Sequence, residues 1–348
     1  MSTALSPTLL RDLYVRMLLT RIVDEYTCKL YTEGRIGIVA SCRGHEAAQV
    51  GSAACIEVGK DFTLPYYRDL GVVLTIGMTP HEVFRTYLLN RVPQNSQSSL
   101  SSIYRPSKGI RAGSISLLSK TATVASDAPE RMPFHHWGYH KHNMVTGPAP
   151  VATQMLHAAG IAFASKLRQA SVVTVAYCGD GATTEADFME GMRFAVQQQL
   201  PVVFVCEQAC IHAPVDGRHY SSCLASLPLP ADLHHRQVDG TDILAVYSAM
   251  SSAMQHAREG RGPVLLEMHV VRKRADLYLP QAREFVWSGG DLLLGRNGDL
   301  SDPLVRCQRH LQAADVWDNE WAQHLVERLS VEVECAWRDV LHDIFRSP

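Results

Sequence analysis

Asp180 stands between Gly179 and Gly181 and is followed by Ala182, Thr183, Thr184 and Glu185. Two glycines let a backbone approach a diphosphate closely, and free amides at a helix start favour its negative charge. A carboxylate between them suits a hard divalent cation on the same phosphate oxygens. An ordinary strand-to-helix turn with a solvated aspartate has the same three letters, so the motif gains meaning only from its surroundings. A second candidate is the pair Tyr67 and Arg68, because an arginine fork matches phosphate geometry, although a surface arginine beside a core tyrosine reads the same way.

The elements that must position Asp180 are legible on both sides of it. The apolar, β-branched run from Val172 to Tyr177 reads as a buried strand of a parallel sheet. A helical pattern follows from Ala186 to Gln199, with Phe188, Met192, Ala195 and Val196 on one face and hydroxyls and an acid at its start. Pro201 then opens a second apolar strand through Cys206. Strand, helix and strand with such a crossover make a parallel βαβ unit with an acidic, glycine-flanked turn at its ligand-binding edge.

Composition narrows the function classes. A chain of 348 residues, 46% hydrophobic and 20% charged, has the make-up of a soluble globular protein. A formal charge of -2 gives no electrostatic case for nucleic acid or an acidic membrane surface. No apolar run reaches the length of a membrane span. The N-terminus lacks a basic-then-apolar signal, and nine scattered cysteines suit reduced thiols, so a cytoplasmic protein is expected.

Along the rest of the chain, Leu9 to Tyr31 has helical spacing, and a helix begins near His45. Between 96 and 126, ten of 31 residues are serine and none is acidic, too few large apolar groups to offset ordering, so a mobile insertion is expected. His135, His136, His140 and His142 match neither a zinc helix pair nor a finger, and Cys206, Cys210 and His212 are too few and too close for a zinc site. Met155 to Leu167 reads as a helix whose alanines and glycine permit close packing. Gln237 to Gly240 ends a strand, Thr241 to Arg261 is a helix, and Pro263 to Val271 is the next strand. From Asp302 to Phe345 the pattern is helical, with Trp317, Trp321, Leu325, Leu329 and Val333 on one apolar stripe. The expected architecture is a single α/β domain over 1–95 and 127–300, with a mainly parallel sheet, helices on both faces, and a helical extension over 301–348.

The stretch GDGATTEADFMEGMRFAVQQQLPVVFVCE resembles the thiamine-diphosphate motif of the alpha subunit of the 2-oxo acid dehydrogenase component, the family that serves pyruvate and branched-chain 2-oxo acids. The family's GQEAAQVGSA segment is almost spelled out by Gly44 to Ala53, and its Tyr-Arg pair falls on Tyr67 and Arg68. Met132-Pro133 and the run Pro150 to Gln154 match segments that cradle the aminopyrimidine ring. VDGTDILAVYSAM, GPVLLE and DPLVRCQRHLQAADVWDNEWAQ continue the likeness, so it covers nearly the whole chain apart from the serine-rich insertion and the loop after Val271.

The resemblance implies a thiamine-diphosphate-binding fold. It implies cofactor binding by Tyr67, Arg68, Gly179, Asp180, Gly181, Ala182 and Arg272, with Tyr67 and Arg68 on the diphosphate, a backbone carbonyl from Ala149, and an apolar wedge, Val151, that holds the cofactor bent. It implies magnesium on Asp180 and on the carbonyl of Ile211. It also implies a beta-type subunit in an α2β2 assembly that supplies the activating glutamate, a small 2-oxo acid substrate, and acyl transfer to lipoyl on an acyltransferase. Two departures stand out. The family's magnesium-binding asparagine pair reads Gln208-Ala209, and its paired loop histidines are replaced in the run Arg272, Lys273, Arg274, Ala275 and Asp276. No catalytic residue is assigned within this chain. Alongside oxidative decarboxylation, a non-catalytic alpha-like subunit and a non-oxidative thiamine-dependent decarboxylase or acyloin-forming enzyme remain open.

Overall fold

The computed structural model describes residues 5–36, 39–89, 137, 141–147, 150–210, 224–272 and 299–346. The serine-rich insertion, Met132-Pro133, Ala149, Ile211 and residues 273–276 lie outside the described residues. Five strands form one wholly parallel sheet: β1 (Phe62–Leu64), β2 (Thr174–Gly179), β3 (Val202–Cys210), β4 (His234–Asp239) and β5 (Val264–Val271), in the order β1-β2-β3-β5-β4. Among the helices are α1 (Pro7–Thr32), α2 (Glu46–Ala53), α3 (Leu70–Ile76), α4 (Pro80–Leu89), α5 (Thr153–Leu167), α6 (Ala186–Gln197), α7 (Ile243–Arg258), α8 (Pro303–Ala313) and α9 (Asn319–Arg346). Among the described residues no helix is long and apolar enough to cross a membrane.

Alternation along the strands explains why both faces are covered. Val173, Val175, Tyr177, Val203 and Val205 pack with α2 and α7, whereas Ala176, Cys178, Val202, Phe204 and Cys206 pack with α5 and α6. Successive strand side chains point to opposite faces, so a strand buried on both reads as a continuous apolar run. A third cluster gathers around α1, where Leu13, Tyr14, Met17 and Leu18 meet Leu325, Leu329, Val333 and Trp337 of α9. The helical pattern expected from Asp302 to Phe345 is thus real but divides into two helices, with Trp321, Leu325, Leu329 and Val333 of the stripe on α9 and Trp317 in the break before it. The chain breaks between them at 314–318, where Asp315 takes a left-handed φ of 55°.

Close packing between α5 and α6 rests on a different glycine from the one expected. Gly160 of α5 faces open space. Gly191 of α6 is the residue that permits contact, because a Cβ there would lie 2.9 Å from the carbonyl carbon of Met155. Backbone cannot swing away as a side chain can. Gly191→Ala is therefore expected to destabilise the protein by about 1–3 kcal/mol, measured by urea denaturation. An unchanged midpoint would show that α6 does not press on α5 in this way.

Candidate active site

The strand ends of β2, β3 and β5 open on one cleft of about 240 Å³. Its first wall is the turn that follows β2. Asp180–Thr184 forms a 3₁₀ turn ahead of α6. Asp180 Oδ1 accepts from the Gly181 amide at 2.9 Å. Thr183 Oγ1 donates to the Asp180 carbonyl at 2.7 Å, and Thr184 Oγ1 to the Gly181 carbonyl at 3.0 Å. These hydroxyls tighten the turn, and neither caps α6, whose N-cap residue Glu185 makes no side-chain capping bond. Among the described residues, its chain neighbours aside, Gly181 has nothing within 4 Å of the position a Cβ would occupy. Its lack of a side chain keeps space open in the cleft and is not required by the protein's own packing.

The second wall comes from the segment after β1. Tyr67 and Arg68 line the cleft, and the Arg68 guanidinium lies 5.3 Å from the Tyr67 ring centroid. Arg68 Nη1 donates to the Ser41 carbonyl at 3.0 Å, which fixes the fork. Across the opening are Pro150, Val151 and Gln154 at the start of α5, entered through Ala152 at φ 70°. Val151 is 46% exposed on this rim. Ala209 of β3 and Arg272, just after β5, complete the rim.

The floor is polar and buried. Glu207 Oε2 meets His45 Nδ1 at 2.6 Å and accepts from Gln49 Nε2 and from the Tyr66 hydroxyl, both at 3.1 Å. Gln49 Oε1 in turn accepts from the Gly71 amide at 2.9 Å, and Asp69 Oδ2 from the Tyr66 amide at 2.7 Å. Burial, reinforced by the Glu207 charge, pushes Asp69 well above the ordinary carboxylate range. The same two causes raise Tyr66, which stays a phenol donor. His45 Nε2, Glu207 Oε1 and Gln154 Oε1 are buried on this cleft without a hydrogen-bond partner among the described residues.

The expected site residues Tyr67, Arg68, Val151, Gly179, Asp180, Gly181, Ala182 and Arg272 all line this one cleft. Ala149 and Ile211 lie outside the described residues. Sequence reasoning missed His45, Tyr66, Gln154, Glu185 and Glu207 as cleft residues. One signal was available for His45, which stands where the GQEAAQVGSA segment has its glutamine.

The donor set fits a diphosphate. Two guanidinium groups line the cleft, and a Cβ at Gly181 would fill space that the protein leaves free. An exposed valine on the opposite rim offers an apolar surface to a bent ligand. For a metal ion the described residues offer less. Asp180 is the carboxylate on the turn, Ala209 has no side-chain oxygen, and no group of three His, Cys, Asp or Glu among the described residues is placed to hold a metal. A hard cation here would depend on phosphate oxygens, water and backbone carbonyls for its remaining ligands.

A family model described as "Dehydrogenase E1 component" matches residues 14–275. The 2-oxoisovalerate dehydrogenase subunit alpha of Bacillus subtilis is 30% identical over 339 residues, covering 97% of this chain and 92% of its own. The pyruvate dehydrogenase E1 component subunit alpha of Bacillus cereus is 28% identical, covering 95% of this chain and 78% of its own. The 3-methyl-2-oxobutanoate dehydrogenase subunit alpha of Mycobacterium tuberculosis is 29% identical, covering 96% and 78%. Together with the parallel sheet and the cleft at its strand ends, these matches place the chain in the dehydrogenase E1 component family, as a divergent alpha-type member.

Proposed function

We propose that the chain is the alpha subunit of a thiamine-diphosphate-dependent dehydrogenase that decarboxylates an aliphatic 2-oxo acid. The observation that carries this reading is the convergence of Tyr67, Arg68, Val151, the turn from Gly179 to Ala182, and Arg272 on one cleft. Arg68, Arg272 and the turn amides would bind the diphosphate, and Val151 would be the apolar wedge that holds the cofactor bent. Ala149 offers its carbonyl to the aminopyrimidine. Magnesium would be held by Asp180 and the Ile211 carbonyl, with phosphate oxygens and water supplying what Ala209 cannot. The cofactor supplies the carbanion chemistry, and the protein orients it.

A beta-type subunit completes the site in an α2β2 assembly in the cytoplasm, and the acyl group passes to lipoyl on an acyltransferase. One observation favours a second reading, an alpha-like subunit without its own catalysis: Ala209 lines the cleft where a metal-binding asparagine is expected. The test is carbon dioxide release by the chain co-assembled with a beta-type subunit, given 2-oxoisovalerate or pyruvate and an artificial electron acceptor. Cofactor-dependent release that needs the acceptor is the expected result. Release without it favours non-oxidative decarboxylation, and cofactor binding without release favours the non-catalytic subunit.

A further inference from the structure

His45 sits at the head of α2 with 1% of its surface exposed, and its ring lies on the floor of the cleft. Nδ1 is committed to Glu207 at 2.6 Å, so Nε2 is the ring atom left to meet a ligand, and it has no partner among the described residues. A buried polar atom without a partner is costly, and native structures rarely leave one unless something else satisfies it. We propose that His45 is a cofactor-binding residue whose Nε2–H donates to a phosphate oxygen of the bound diphosphate. The inference rests on reading the cleft as a diphosphate site.

Strand register sets the height of this group. Glu207 of β3 pairs with Gly179 of β2, the residue that opens the Gly179-Asp180-Gly181 turn. The His45–Glu207 pair therefore lies level with the phosphate-binding turn, and the rim at Val151 comes from a different element, the start of α5. Phosphate oxygens only accept, which requires Nε2 to donate.

Charge completes the argument. Glu207 and Asp69 are both buried beside the site, and a carboxylate facing a diphosphate opposes its binding. Glu207 is the acceptor of three hydrogen bonds, and burial together with its charge raises Asp69 above the ordinary carboxylate value. A ring that donates at both nitrogens carries one positive charge, opposite to that of Glu207. The guanidinium groups of Arg68 and Arg272 line the same cleft, while Asp180 and Glu185 lie on the turn side. Glutamine, the residue of the GQEAAQVGSA segment, would supply a donor without that charge.

The test uses the chain co-purified with its beta-type subunit, with thiamine diphosphate and inorganic pyrophosphate as separate calorimetric probes and thermal unfolding as the check on folding. His45→Ala is expected to weaken both probes by a similar factor, about 10- to 100-fold, because the lost bond belongs to the moiety they share. His45→Gln is expected to fall between the two, and it decides the matter if the alanine variant fails to assemble. Wild-type affinity in His45→Gln, or in a folded His45→Ala, would overturn the role of His45 and leave the cofactor assignment standing. So would loss of thiamine diphosphate binding with pyrophosphate binding intact. A wild-type assembly that binds neither probe would overturn the cofactor assignment and this inference together.

Discussion

Gly181→Val leaves the protein as stable as the wild type and removes its affinity for thiamine diphosphate. Stability is preserved because, its chain neighbours aside, no atom of the described residues lies within 4 Å of the place a Cβ would take on Gly181, which is outside the left-handed region. Binding is lost because a side chain there fills the space in which a diphosphate approaches the turn. The expected loss is on the order of 100-fold or more, equivalent to about 2.7 kcal/mol. Calorimetric titration and thermal unfolding on the same preparation separate the two effects. Retained affinity in a folded Gly181→Val protein would show that the phosphates lie elsewhere.

Arg21→Ala is expected to produce the largest loss of stability. The Arg21 side chain is fully buried, donates through Nε to Glu46, and reaches Asp302 through Nη1 and Nη2, both at 3.2 Å. Asp302 also caps α8, accepting from the Leu304 amide at 2.9 Å, and Glu46 Oε2 accepts from the Gly44 amide at 2.8 Å. One guanidinium thus ties α1 to α2 beside the cleft floor and to the first C-terminal helix. Its removal leaves the buried Glu46 without its ion-pair partner and Asp302 with only Arg43 acting on its charge, and breaking a buried pair costs about 3–5 kcal/mol. Urea denaturation followed by tryptophan fluorescence reads this directly, since Trp317 and Trp337 lie in the same cluster. A loss below about 1 kcal/mol would mean that water or a rearranged neighbour replaces the arginine.

The same contact sets a pH dependence. Burial pushes Asp302 upward, but Arg21, with the Leu304 amide and Arg43, holds the carboxyl below its ordinary value. Its contribution is present in full above the unfolded value of about 3.9 and is lost as pH falls through the lower folded value. Arg21→Ala is therefore expected to flatten the acid limb of the stability profile.

Much of the fold was legible because it rests on apolar runs. Val172 to Cys206 announced a parallel βαβ unit, and the structure has β2, α6 and β3 there, with β3 extending on to Cys210. The sheet's edge strand β1 has three residues, too few for periodicity to separate from a loop. The break at 314–318 was hidden because the apolar stripe continues across it from α8 into α9. Gly160 and Gly191 look alike in sequence, and only tertiary packing shows which one meets a backbone.

The rim of the cleft was legible through motif likeness, whereas its floor was not. His45, Gln49, Tyr66, Asp69 and Glu207 are polar residues buried among apolar ones and drawn from three separate segments. No local pattern marks such a cluster, because its members satisfy one another across the fold.

The most direct test of the central claim is calorimetric titration of thiamine diphosphate, with and without magnesium, into the chain co-assembled with a beta-type subunit. Binding that depends on magnesium and disappears in Asp180→Ala is the predicted result. No binding at millimolar cofactor to a well-folded assembly would contradict it.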